Sequence, residues 1–183
     1  MSIKKLIVLI AILAFAVVGY SSLTTASSYD NSPNAVLYSS KEGHFQALFP
    51  NEPRHATTDL PFRSSNETIR YDSYVTRSED LTLYLLTTAM YPIIPDVKGS
   101  KQYLGTFLEQ VMQNSPQSVL IHFQVATFQN NPALDFILLN QGTWTYGRII
   151  LAGNRVFILL CSNTNNTLVV KDFFTFAESL VIQ

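Results

Sequence analysis

Cysteine is almost missing. Cys161 is the only one in 183 residues, which excludes an internal disulfide and any zinc site built on cysteine pairs. Its neighbours Phe157, Leu159 and Leu160 are apolar, so the expectation is a buried, unreactive thiol. Charge is scarce as well. Asp, Glu, Lys and Arg make up 14% of the chain, against roughly a quarter in an average globular protein. Ser, Thr, Asn and Gln must therefore supply much of the surface. The net charge is −1 with no basic tract, which argues against nucleic acid as a partner. Glycine numbers only 7, and none is spaced to cradle a phosphate. None of the three histidines, His44, His55 and His122, is paired with another at i+3 or i+4, and no Cys/His cluster exists. A G-x-S-x-G elbow is absent, and the one carboxylate doublet, Glu79-Asp80, reads as a turn. The sequence therefore assigns no catalytic residue, no metal ligand and no cofactor, and the expectation is a protein that is not an enzyme. One weak constellation, His44, His55 and Asp59, is kept as a group that folding could bring together.

What the chain does have is apolar and aromatic side chains, 47% and 12% of it, enough for one packed domain. The first 26 residues read as an address. Lys4 and Lys5 precede the apolar run Leu6–Val18, and Gly19–Ala26 is small and polar, the anatomy of a secretory signal peptide cleaved after Ala26. The alternative is an uncleaved anchor over residues 6–23 with the domain outside the inner membrane. Val17-Val18-Gly19-Tyr20 matches a lipoprotein processing box except that Tyr20 stands where the acylated cysteine belongs, so no lipid anchor is expected. Losing residues 1–26 removes two lysines and no acid; the exported part keeps 10 of 12 basic and all 13 acidic residues, a net charge of −3. The expected location is periplasmic or secreted. Residues 27–35 are a polar spacer, and residues 36–183 form the domain.

Within that domain the periodicity alternates between two and 3.6 residues. Val36–Ser39, His44–Phe49, Arg54–Leu60, Glu67–Arg77 and Leu81–Tyr91 read as strands, the last apolar on both faces as a central strand is. From Lys98 the pattern turns helical, with Leu104, Phe107, Leu108 and Val111 on one stripe and Ser100 as expected N-cap. Val119–Phe128 alternates, with Val119, Ile121, Phe123 and Val125 assigned to one face. Asn130-Asn131-Pro132 reads as a turn and Leu134–Asn140 as a strand. The most apolar internal stretch, Thr143–Cys161, reads as a hairpin turning at Gly153-Asn154. After a loop over Cys161–Asn166, a last amphipathic helix runs from Thr167 to Leu180. The fold class expected is α+β, an antiparallel sheet flanked by helices.

Three local patterns carry a family resemblance. Gly43–Pro53 (GHFQALFPNEP) is similar to the opening of a broad set of bacterial exported proteins and lipoproteins. Tyr146–Leu160 (YGRIILAGNRVFILL) resembles their central hairpin, with Arg148, Gly153, Arg155 and Phe157 at the matching places. Lys171-Asp172-Phe173-Phe174, followed by Ser179-Leu180, resembles their closing helix, with leucine in place of the last aromatic residue. Such proteins resemble the PsbP-like fold. The resemblance implies an α/β/α sandwich and a binding or assembly role.

Candidate recognition residues follow from residue type. Trp144, Tyr146 and Arg148 share one face of a strand, and Trp, Tyr and Arg are enriched in binding hot spots. Core packing weighs above a patch there, with Arg148 then needing a carboxylate or a place at a sheet edge. Tyr91 and Pro92 begin the loop Tyr91–Pro95, which with Pro50–Pro53 is expected to form an exposed apolar rim. Arg54, Arg63, Arg70 and Arg77 are interleaved with Glu52, Asp59, Glu67, Asp72 and Glu79, so ion pairs between strands are expected rather than a basic patch. The functional expectation is an exported, non-enzymatic envelope protein that binds another, unidentified envelope protein, touching the membrane only through an uncleaved N-terminal segment. Alternatives are a small-ligand-binding protein or unrecognised hydrolase, and a secreted effector or immunity-type factor.

Overall fold

The structure, a computed structural model, describes residues 35–62, 66–92 and 99–183. The signal segment, most of the spacer, Arg63 and residues 93–98 lie outside the described residues. Ten strands and two helices follow one another: β1 (Val36–Ser40), β2 (Phe45–Phe49), β3 (Arg54–Pro61), β4 (Thr68–Arg77), β5 (Leu83–Met90), α1 (Ser100–Gln113), β6 (Val119–Phe128), β7 (Asn131–Asn140), β8 (Thr143–Ala152), β9 (Arg155–Asn163), α2 (Asn166–Ser179) and β10 (Val181–Ile182). The class is α+β. Strands β3-β4-β5-β9-β8-β7-β6 make a seven-stranded sheet, antiparallel throughout, and β1-β2-β10 make a small three-stranded one.

The stretch β6 to β9 is a meander of two-residue hairpins, and each turn has the backbone its residues allow. Gln129 and Asn130 both take positive φ, 48° and 63°, as do Gln141 and Gly142, 47° and 83°. Two positive φ values in a row match the twist of the flanking strands. At the β8–β9 turn Gly153 alone is left-handed, φ 59°, in the first central position where glycine is favoured. The central hairpin read from sequence is therefore central in space: β9 is the fourth strand of seven and β8 the fifth. Ile149, Ile150 and Leu151 are all buried, so both faces of β8 are covered.

Alternate residues of these strands feed two cores. Ile150, Phe157, Leu159 and Cys161 face α2, where Val169, Phe173, Phe176 and Leu180 meet them together with Phe45 and Phe49 of the small sheet. Ile149, Leu151, Phe136 and Leu138 face α1 and its Leu104, Phe107 and Leu108. Among the described residues the α2 face is thus covered by a helix and a second sheet, and the α1 face by one helix. Gln129 ties the two sheets together: its Nε2 donates to the Leu180 carbonyl at 2.6 Å and its Oε1 accepts from the Ile182 amide at 3.1 Å.

Several local readings need correction. Gly99, not Ser100, occupies the α1 N-cap, and no side chain caps that end. The first hairpin turn is Gln129-Asn130, which leaves Asn131 and Pro132 inside β7. β9 continues to Asn163, whose buried amide donates to Thr82 Oγ1 at 2.7 Å and to the Asp80 carbonyl at 3.2 Å; the polarity of that segment reflects these bonds, not a loop. Pro50 and Pro53 are buried rather than rim-forming. In β6 a register shift between Leu120 and His122 breaks the alternation. Leu120, Phe123 and Val125 stand opposite Leu138, Phe136 and Leu134 on the α1 face, whereas Val119 stands opposite Leu139 on the other. Finally, β10 had too few residues to carry a periodic signal.

Candidate functional site

Strands lie about 4.8 Å apart, so seven of them span roughly 29 Å. A helix with its side chains is about 10–12 Å across. One helix therefore cannot roof this sheet. α1 packs on β7 and β8, and beside it the β4-β5-β9 half of the same face forms the floor of a trough with a volume of about 490 Å³. Leu83, Leu85, Ile158 and Leu160 make the floor apolar, and Phe107 and Val111 of α1 make the wall.

Polarity enters only as neutral groups. Thr145 Oγ1 and Ser162 Oγ pair at 2.8 Å, and Thr87 Oγ1 pairs with Ser73 Oγ at 3.2 Å. Gln110, Asn114, Asn140 and Gln141 supply amides along the lining. No Asp, Glu, Lys, Arg or His occurs among the described lining residues. Tyr71 and Tyr91 line it too, and burial raises the pKa of both phenols, so they stay neutral. Tyr91 is held from the backbone outward: its amide donates to the Asn154 carbonyl at 2.8 Å, and Asn154 Nδ2 donates to its carbonyl at 2.9 Å. Its ring meets Phe107 edge-on at 5.9 Å.

The five residues singled out by type do not form one surface. Tyr91 lines the trough and Pro92 is exposed just after it. Trp144, Tyr146 and Arg148 lie on the opposite face, against α2. Arg148 is buried, and its Nε and Nη2 donate to the two oxygens of Asp135 at 2.7 and 3.0 Å. Its Nη1 donates to Glu178 at 2.7 Å, and its guanidinium lies 5.0 Å from the Phe128 ring centre. Burial opposes the charge, but the bonds to Asp135 and Glu178 outweigh it and hold the pKa above its usual value. The carboxylate that Arg148 needed is thus two carboxylates. Tyr146 donates its hydroxyl to Asn166 at 3.1 Å.

The histidine constellation assembles differently from its sequence reading. His55 meets Asp72, not Asp59: Nε2 and Oδ1 are 2.9 Å apart, and the imidazole stacks on Tyr74 with centroids 4.5 Å apart. Asp72 is fully buried and also accepts from Thr57 Oγ1 at 2.6 Å and Arg70 Nε at 2.9 Å. Burial pushes its pKa up, but the bonds from Arg70, Thr57 and His55 more than reverse this and leave it lowered. A catalytic triad places hydroxyl and carboxylate on different ring nitrogens. Here Thr57 and Asp72 both approach Nε2, at 3.3 and 2.9 Å, so the ring has no second nitrogen wired for relay. His44 lies apart, exposed in the β1–β2 turn with φ 55°. Among the described residues no group of His, Cys, Asp and Glu is placed to hold a metal.

One half-buried acid stands apart from the trough. Asp172 on α2 has Oδ2 buried with no hydrogen-bond partner. Burial raises its pKa, the Thr82 and Tyr84 hydroxyls pulling partly the other way. A carboxyl whose pKa is raised by folding costs stability wherever the unfolded chain has already lost the proton, so the penalty is absent below the unfolded value near 3.9, grows as pH rises from there to the folded value, and is full above it. Asp172→Asn should therefore match the parent near pH 3 and exceed it at pH 7, by at most about 1 kcal/mol after solvent screening. Urea denaturation at the two pH values checks this, and an equal change at both would refute it.

The resulting architecture, two sheets and two helices in this order, is the PsbP-like fold. Among solved structures, the chain is similar to the solution structure of cyanobacterial PsbP (CyanoP) from Synechocystis sp. PCC 6803, at a TM-score of 0.55 and 15% identity over 88% of this chain and 99% of that one. No family model and no curated protein matches the sequence. No helix among the described residues is long and apolar enough to cross a membrane.

The trough itself was missed by sequence reasoning. Apart from Tyr91, which was singled out for its loop, its apolar residues read as ordinary strand or helix core. The available signal was a count: many central strands, and one helix to cover one of their faces.

Proposed function

We propose that this chain is an exported, non-enzymatic accessory module of the envelope that binds another protein, with the trough as its recognition site. The observation that supports this best is the trough's position and chemistry: it lies over three strands, about 10 Å across at ordinary strand spacing, is flanked by α1, and is mostly apolar and without charge among its described lining residues. An amphipathic helix from a partner, laid beside α1, completes the layer that the fold leaves half-built. The face it buries has to be uncharged, because the lining offers no counter-charge to a desolvated Lys or Glu. Export rests on Lys4, Lys5 and Leu6–Val18, and the accessory role on the likeness in fold.

Filling the trough tests the reading. Val75 and Ser162 line it and are half-buried, so Val75→Trp and Ser162→Phe block it from two strands. In pull-downs from envelope extract the parent should retain a partner, and each variant should lose it at least tenfold while melting within a few degrees of the parent. A parent that retains nothing, or variants that retain as much, count against it.

A second reading is favoured by the volume alone, since 490 Å³ falls within the range of small-molecule sites. It predicts saturable binding of the neutral dye N-phenyl-1-naphthylamine, abolished by the same two variants and with no protein partner present.

A further inference from the structure

The two edges of the seven-stranded sheet are built on different rules. An open edge displays unpaired amides and carbonyls, and proteins blunt such edges with charge, proline or cover. β3 follows that practice: Arg54, Asp59 and Pro61 lie in its eight residues. β6 does not. Its ten residues, VLIHFQVATF, contain no Asp, Glu, Lys, Arg, Gly or Pro. It is the last strand in the sheet, and no strand pairs its outer side among the described residues.

The side chains on β6 add to this. Val119, Ile121, Phe123 and Val125 are 60%, 48%, 55% and 43% exposed. The bulge between Leu120 and His122 disturbs one end only. From His122 to Phe128 the strand runs in unbroken register along Ile137 to Asn131 of β7, a straight seven-residue template. Phe123 and Val125 stand on the α1 face, directly opposite the buried Phe136 and Leu134, so they extend that core outward to a margin where nothing described covers them.

We infer that β6 pairs with β6 of a second copy of this chain, antiparallel about a two-fold axis, joining two sheets into one. Three observations select a second copy as the occupant. The strand carries no fixed charge, so two identical edges meet without the like-charge repulsion that a chain of net negative charge otherwise brings. Antiparallel pairing of a strand with itself is what an isologous two-fold contact supplies. With Gln124 on the axis, Phe123 of each copy falls opposite Val125 of the other, an aromatic against a β-branched residue, which is a favourable cross-strand pair. The joined sheet stops at two copies, because its other edge among the described residues, β3, is the charged and proline-bearing one. This goes beyond the trough, which lies over β4, β5 and β9.

Sedimentation velocity on the purified exported chain, from about 1 to 200 μM, should show a monomer–dimer equilibrium. Phe123→Lys combined with Val125→Lys should weaken it at least tenfold and leave the circular dichroism spectrum and melting temperature near the parent's. Ala56→Lys on the exposed part of β3 should leave it unchanged. Should the lysine variant fail to fold, Gln124→Cys replaces it. Directly opposed residues bring their Cβ atoms within about 4.5–5.5 Å, so under mild oxidation it should form a cross-linked dimer, whereas Ala56→Cys should not. A parent that stays monomeric throughout overturns the inference, including one whose β6 is instead occupied by an extended segment of another protein. So do assemblies larger than two, or Gln124→Cys cross-linking no faster than Ala56→Cys.

Discussion

Gly147→Ala is expected to cost about 3 kcal/mol of folding stability, near the upper end for overpacking a core, although it adds one methyl group. Gly147 is buried in β8, directly between Phe136 on β7 and Leu160 on β9. A Cβ there would sit 2.6 Å from Phe136 Cε1 and 2.7 Å from Leu160 Cδ2. Leu160 can turn into the trough, but Phe136 has no such retreat. Phe136 is 1% exposed beneath α1, and Leu160 packs against the same core. The backbone is ordinary at this glycine; what the position needs is the empty space. Urea denaturation should show a lowered midpoint, and Phe136→Leu in the alanine background should recover part of the loss through a coupling of opposite sign. A loss below about 1 kcal/mol, or no coupling to position 136, would mean that β8 shifts cheaply and that the close approach is not tightly held.

Phe176→Ala is the second large effect, at roughly 3–5 kcal/mol. Phe176 is 1% exposed, with its ring 4.9 Å from Phe49 of β2 and 5.5 Å from Tyr84 of β5. It is the side chain through which α2 holds the small sheet against the large one. Truncation removes contacts on both sides at once, so the loss should be uneven. Amides of β1 and β2 should lose hydrogen-exchange protection well before those of β5, β8 and β9. Uniform loss across all strands would refute this reading of Phe176 as a tie between sheets.

The parts of this fold that were legible in its sequence are those encoded by neighbours along the chain. The alternation at Phe45, Ala47 and Phe49 and the turn at Gly153-Asn154 fixed where strands begin and reverse. Leu104, Phe107 and Leu108 fixed the buried stripe of α1. Arg148 announced its own requirement, because a buried guanidinium needs carboxylates, but not that Asp135 and Glu178 would meet it. Asp72 shows the limit most clearly. In the sequence it was one of several acids expected in ion pairs between strands; in space it is fully buried, and Thr57, Arg70 and His55 replace water around it. The bulge in β6 was invisible for a related reason. Val119, Leu120 and Ile121 are all apolar where the slip falls, so a shift of one place left no mark in the pattern. The trough could not be read residue by residue, since it is a property of how much roof one helix provides.

The small sheet has a consequence for the order in which the molecule comes together. Its middle strand, β2, receives β10 and the Ser179 hydroxyl, to which the Leu48 amide donates at 2.9 Å across 131 positions of chain. Ribosomes deliver residues from the N-terminus onward, so β1 and β2 are made first and wait longest for their partner. Until α2 and β10 arrive, Phe45 and Phe49 have no finished surface to close on. The small sheet is thus a late-setting latch: its contacts close only when the last helix and strand of the domain are present.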